Sequence, residues 1–215
     1  MKFFNNYLKK KEGKKIYLIA VIGVFTGLSL SFIDTVWALY IDSFVESAFW
    51  VGLITALITA ITFLSYFFVI PLVERKDKVR LYSLSLGVAF LSYVLFAFTS
   101  SLILLILILI PSAFFSALRI TSFGLVVKDS SCSKNLSKNL GLLYALENVS
   151  WVIGPLVAGY ILSAYGFSVV FFIAALILLF VFSILNLSKI KDVEVKKRVD
   201  GHFLKNFFYF FKKKD

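Results

Sequence analysis

Long apolar runs separated by short polar stretches dominate this chain. Six of them, at about residues 16–40, 49–73, 79–98, 102–127, 140–164 and 167–187, reach the ~20 residues that a helix rising ~1.5 Å per residue needs to cross a ~30 Å hydrocarbon core. None alternates apolar and polar positions with the period of two expected of a barrel strand. In lipid the backbone must satisfy its own hydrogen bonds, which leaves helices as the spanning element here. The pattern predicts an all-α membrane protein of six transmembrane helices, with the lipid bilayer as its main solvent.

Composition agrees. Of 215 residues, 60% are hydrophobic and 18% aromatic while only 16% are charged, and the mean hydropathy is +0.92, well outside the range of soluble domains. The net charge of +11 would suggest nucleic-acid binding in a soluble protein. Its distribution argues otherwise. Of the 23 basic residues, 22 fall before the first run, between the second and third or at the start of the third (Arg80), between the fourth and fifth, or after the sixth, and none falls in the opposite loops. The positive-inside rule then places both termini in the cytoplasm and implies no nucleic-acid partner. The domain reading is a basic amino terminus at 1–15, a six-helix domain at 16–187 and a basic, aromatic tail at 188–215. The tail's last stretch, 203–215, has the composition of an amphipathic segment on a membrane surface.

Catalytic chemistry finds little to use. The one cysteine, Cys132, and the one histidine, His202 in the tail, provide no His/Cys metal set and no base for a membrane-embedded serine. No catalytic residue, metal or cofactor is expected, and the chain is not read as an enzyme. A channel reading lacks a glycine-rich re-entrant loop.

Two places carry a family resemblance. In the fifth run Gly154-Pro155-Leu156-Val157-Ala158-Gly159 is followed by Tyr165-Gly166-Phe167. This resembles the Gly-Pro-x-x-Gly-Gly signature of the major facilitator superfamily, with Ala158 for the first of the paired glycines. Gly154 and Ala158, four apart, make a small-residue stripe for close helix approach, and Pro155 removes a backbone donor and invites a bend. The loop from Pro71 to Arg80 sits where the family carries Gly-x-Leu-Ala-Asp-Arg-x-Gly-Arg-Lys. Leu72, Arg75 and Lys78 match in register, Glu74 replaces the aspartate, and Ile70 and Asp77 hold the glycine positions. The resemblance implies a half bundle of two inverted three-helix repeats. It also implies that Glu74, Arg75 and Lys78 belong to a conformational-switch loop, and that the tail is the linker toward a second six-helix half. The chain is accordingly read as a split, truncated or half-length member. Secondary active transport of a small solute at the cell membrane then requires a homodimer or a separate carboxy-terminal half. A non-transporting scaffold or partner-binding remnant of the same fold stays open.

Three ionisable residues lie in the interior of the runs, away from their ends: Asp34, Arg119 and Glu147. Each costs about 2.5 to 3.5 kcal/mol near the bilayer centre on insertion scales, which marks it as a functional candidate. Asp34 lies ~9 Å from the middle of its span toward the outside, while Arg119 and Glu147 lie ~7 Å from the middle of theirs toward the cytoplasm. Shared depth predicts that Arg119 and Glu147 pair. They would line the central cavity with Asp34, binding the solute or relaying a proton, or else form a fixed ion pair that orients spans four and five. For Asp34 a local hydrogen bond to Ser31 or Thr35 is the competing expectation.

The charge asymmetry is checked with Cys132. A membrane-impermeant maleimide should modify it in inside-out vesicles and leave it unmodified in intact cells; the reverse pattern would invert the topology.

Overall fold

The computed structural model describes residues 2–132, 134–188 and 190, with side chains from residue 13 onward. Beyond Ser188 and Ile190 the tail, including His202 and the amphipathic stretch at 203–215, lies outside the described residues. Six helices follow one another: α1 Lys2–Val45, α2 Ala48–Arg75, α3 Lys78–Phe98, α4 Leu102–Ser130, α5 Leu136–Tyr165 and α6 Phe167–Leu187. All six are long and apolar enough to span a bilayer. The sixth has the bounds that hydropathy predicts. The first begins far earlier, at Lys2, because Lys, Leu and Glu are good helix formers once a helix is nucleated.

Local chemistry sets the breaks. Asp77, where the family pattern has glycine, caps α3 by accepting from the Arg80 amide at 3.0 Å, satisfying a donor that the first helical turn leaves orphaned. Gly166 ends α5 and starts α6 with φ +80°, a conformation that costs glycine little and lets the chain reverse over a single residue. Pro155 sits on the outward side of α5, and the helix continues to Tyr165.

Packing places α1 at the centre. Within its most apolar window 61% of residues are buried inside the chain, against 11% for α2 and 17% for α5. α1 packs on α5 and α6, α6 on α3, α3 on α4, and α4 on α2. The helices thus form an arc in the order α5, α1, α6, α3, α4, α2. Exchanging α1 with α4, α2 with α5 and α3 with α6 leaves this set of neighbours unchanged, as two three-helix repeats require.

Lipid is as apolar as leucine, so helices associate in it through close contact and interhelical hydrogen bonds rather than apolar burial. Hydroxyls on α1 serve this purpose. Ser29 donates to the Ala174 carbonyl at 2.8 Å, Ser31 to the Ser150 carbonyl at 3.2 Å, and Tyr40 to the Phe96 carbonyl at 2.7 Å. In return Ser150 donates to the Val24 carbonyl at 2.8 Å. The bonds reach α6, α5 and α3, at about 0.6 kcal/mol each. The described buried residues of α5 are Leu143, Ser150, Gly154 and Ala158, one helical stripe. A Cβ on Gly154 would overlap the Ser31 side chain, whereas one on Gly159 would meet nothing within 4 Å.

The two glycines of the signature should therefore respond differently. Gly154→Ala should lower stability by about 1–3 kcal/mol through overpacking against Ser31, read as a lower melting temperature in detergent, while Gly159→Ala should leave it unchanged. Equal effects would mean that α1 and α5 do not approach at Gly154.

Candidate functional site

The arc encloses two adjoining cavities. The larger, about 430 Å³, lies among α1, α3 and α4, with α2 and α5 at its rim. Asp34 and Trp37 of α1, Tyr93 of α3, Ser116 and Arg119 of α4, and Trp151 of α5 line it. The smaller, about 170 Å³, is bordered by Thr26 of α1, Tyr82 of α3, Arg119 and Phe123 of α4, and Tyr144 and Glu147 of α5. Leu30, Arg119 and Ile120 line both. Along α1 the larger cavity is lined from Leu30 to Trp37 and the smaller from Gly23 to Leu30, and along α3 the larger is lined from Ala89 to Phe96 and the smaller by Tyr82. The two spaces therefore point toward opposite ends of the bundle and meet at Arg119.

Arg119 is the one charged side chain buried among the described residues, 8% exposed. Its guanidinium donates to Ser116 Oγ at 3.3 Å, one turn back on α4, and interacts with the Tyr93 side chain across the cavity. Glu147 is half-buried and lies against α1, where a Cβ on Gly27 would stand 2.9 Å from its Cγ. Gly27 thus makes room for the Glu147 stem, and Gly23, one turn earlier, makes room for the ring of Phe123. Gly27 thereby seats a charged group.

The expected Arg119–Glu147 ion pair does not form: among the described residues no salt bridge within 4.0 Å joins them. They face one another across the smaller cavity, and Arg119 remains the opposite charge that acts on Glu147. The reason is lateral position. α4 and α5 are not packed neighbours, because α1, α6 and α3 separate them along the arc. A fixed ion pair orienting these two helices is thereby set aside. The local alternative for Asp34 also fails. Ser31 donates to the Leu28 and Ser150 carbonyls and Thr35 to the Ser31 carbonyl at 2.6 Å, leaving Asp34 exposed toward the larger cavity.

Other polar and aromatic residues separate by position. Trp37 and Trp151 reach the cavity, whereas Ser150 is spent on packing. Tyr82, Ser85, Ser92 and Tyr93 were missed, although their spacing puts all four on one face of α3. They are buried, and Tyr82 bonds to Thr26 at 3.1 Å. A polar stripe inside an apolar run was the available signal.

In the loop after α2, Glu74 and Arg75 are exposed, while Lys78 forms an ion pair with Asp129 near the end of α4. These side chains are only 15% and 24% exposed. A cation at the start of α3 and an anion at the end of α4 each oppose the helix dipole there, and pairing offsets both penalties. The Arg80–Asp77 pair, 3.4 Å with Arg80 88% exposed, contributes little by comparison.

The model of the Major Facilitator Superfamily matches residues 15–213. Among solved structures, the peptide transporter POT in complex with sulfate superposes with a TM-score of 0.77 at 13% identity, covering 93% of this chain and 43% of that one. A mutant of the same transporter, also with sulfate, gives 0.76 at 13% identity with the same coverage. At that identity the likeness concerns the fold. This chain spans less than half the length of those transporters. No curated protein matches by sequence.

The ion pair between α3 and α4 yields a direct test. Lys78→Ala and Asp129→Ala should each cost about 1 kcal/mol, with a coupling of similar size in a double-mutant cycle on thermal melting. The exchanged pair, Lys78→Asp with Asp129→Lys, should restore what either loses because both charges then suit their helix ends. Strictly additive losses would rule out a coupled pair.

Proposed function

The chain belongs to the Major Facilitator Superfamily, and from that premise we propose that it carries out secondary active transport of a small solute by alternating access, as one six-helix half working with a second. The observation that carries this reading is that Arg119 borders both cavities while Asp34 borders one and Glu147 the other. Rocking of two bundles about a midplane site opens one side as it closes the other. A group at the junction of two oppositely directed cavities is where such a site belongs. In this reading Arg119 holds the solute, and Asp34 and Glu147 are the carboxylates placed to exchange a proton with either side. The Lys78–Asp129 pair is a latch between helix ends in the switch loop.

Two features support a second half. The chain covers 43% of the matched transporters, and α2 and α5, at the ends of the arc, are the helices least covered within the chain. A second copy or a carboxy-terminal half would close the open side of the cavity. The asymmetry of basic residues supports a reading with both termini cytoplasmic, and the membrane is read as the cell membrane.

Reconstitution in proteoliposomes tests the proposal. Alone as an oligomer, or with its partner half, the protein should drive gradient-dependent uptake from a panel of small solutes. Arg119→Ala should reduce that uptake at least ten-fold with unchanged membrane insertion. Absence of movement under proton, sodium and solute gradients, in both arrangements, would favour a scaffold.

A further inference from the structure

Two opposite charges share the larger cavity without joining each other, and this narrows the chemistry of what enters it. Arg119 and Asp34 both line the space, yet no ion pair within 4.0 Å connects them among the described residues. In an apolar setting opposite charges attract strongly, so their separation has to be enforced. The helices enforce it. Asp34 is carried by α1, which is tied to α5 and α6 by the hydroxyl bonds of Ser31 and Ser29. Arg119 is carried by α4, where its neighbours Ala117 and Leu118 are in a separate apolar cluster with Val69 and Val73 of α2.

Neither charge is used up. A guanidinium has five N–H donors in a fixed fork suited to a carboxylate. Arg119 makes one hydrogen bond, to Ser116, beside its contact with Tyr93. Among the described residues no buried side-chain nitrogen or oxygen lacks a partner, so the remaining guanidinium edge faces cavity space. Asp34 has no hydrogen bond or ion pair among the described residues. The rest of the lining is mostly apolar and aromatic, with Ile33, Trp37, Ile58, Phe96, Phe115 and Trp151 beside the hydroxyls of Thr62, Ser92 and Ser112. The volume, about 430 Å³, falls within the ~300–1,000 Å³ of small-ligand sites.

We propose that this cavity binds a small zwitterion with an apolar body, its carboxylate on the Arg119 guanidinium and its ammonium on Asp34. The inference rests on the transport reading and names the substrate class for the same site. A pure anion would leave Asp34 unneutralised beside it, and a pure cation would leave Arg119 so. Only a ligand carrying both charges satisfies both walls.

Binding to the full chain in lipid nanodiscs tests this independently of transport, with quenching of tryptophan fluorescence as the readout because Trp37 and Trp151 line the cavity. The probes are leucine and leucyl-leucine, which bracket the charge separation, each beside its N-acetylated and carboxamide forms. At least one zwitterion should bind, and both of its singly charged forms should bind at least ten-fold more weakly. Asp34→Asn should turn the preference toward the N-acetylated form, and Arg119→Gln toward the amide. Asp34 is exposed and unbonded, so its variant separates recognition from folding. Equal binding of a singly charged form, or no binding by either zwitterion, overturns the proposal. Gradient-driven transport of some other solute would then leave the transport reading standing, whereas binding without transport would overturn only that reading.

Discussion

The crossing of α1 and α5 at Gly154 is the contact on which the rest depends. Ser31 of α1 occupies the space a side chain at Gly154 would need, so the two backbones come close enough for Ser31 and Ser150 to reach carbonyls on the facing helix. In a solvent as apolar as the side chains, such approach and such bonds supply what apolar burial supplies in water. The same stripe of α5 carries Glu147 seven residues earlier, against Gly27. A packing contact and a site residue therefore share one helical face, and the first positions the second.

Symmetry of packing extends the consequence across the bundle. With α1 and α4 in equivalent places in the two repeats, a cavity bounded by both is a cavity at the pseudo-symmetry axis. Asp34 and Arg119 lie on these equivalent helices, and their opposite signs break the symmetry where chemistry is required. Buried ionisable groups in a bilayer usually pair to become tolerable. Here Arg119 is tolerated differently, by a hydroxyl on its own helix, a tyrosine on α3 and a cavity on either side.

Hydropathy determined the elements of this protein because the thickness of a hydrocarbon core is a fixed length and unpaired backbone cannot enter it. All six helices were legible, the last to the residue at Phe167–Leu187, and so was the stripe of Gly154 and Ala158, since a four-residue spacing defines a helical face whatever lies opposite. Lateral order was not. Arg119 and Glu147 border one cavity but stand across it, since α4 and α5 are not neighbours. Asp34 ignores Ser31 and Thr35 because their hydroxyls are committed to carbonyls. Tyr93 joins Arg119 only because α3 packs on α4. Which helices become neighbours is settled by small-residue contacts and hydroxyl bonds between segments far apart in the chain, and these exist only once the bundle has assembled.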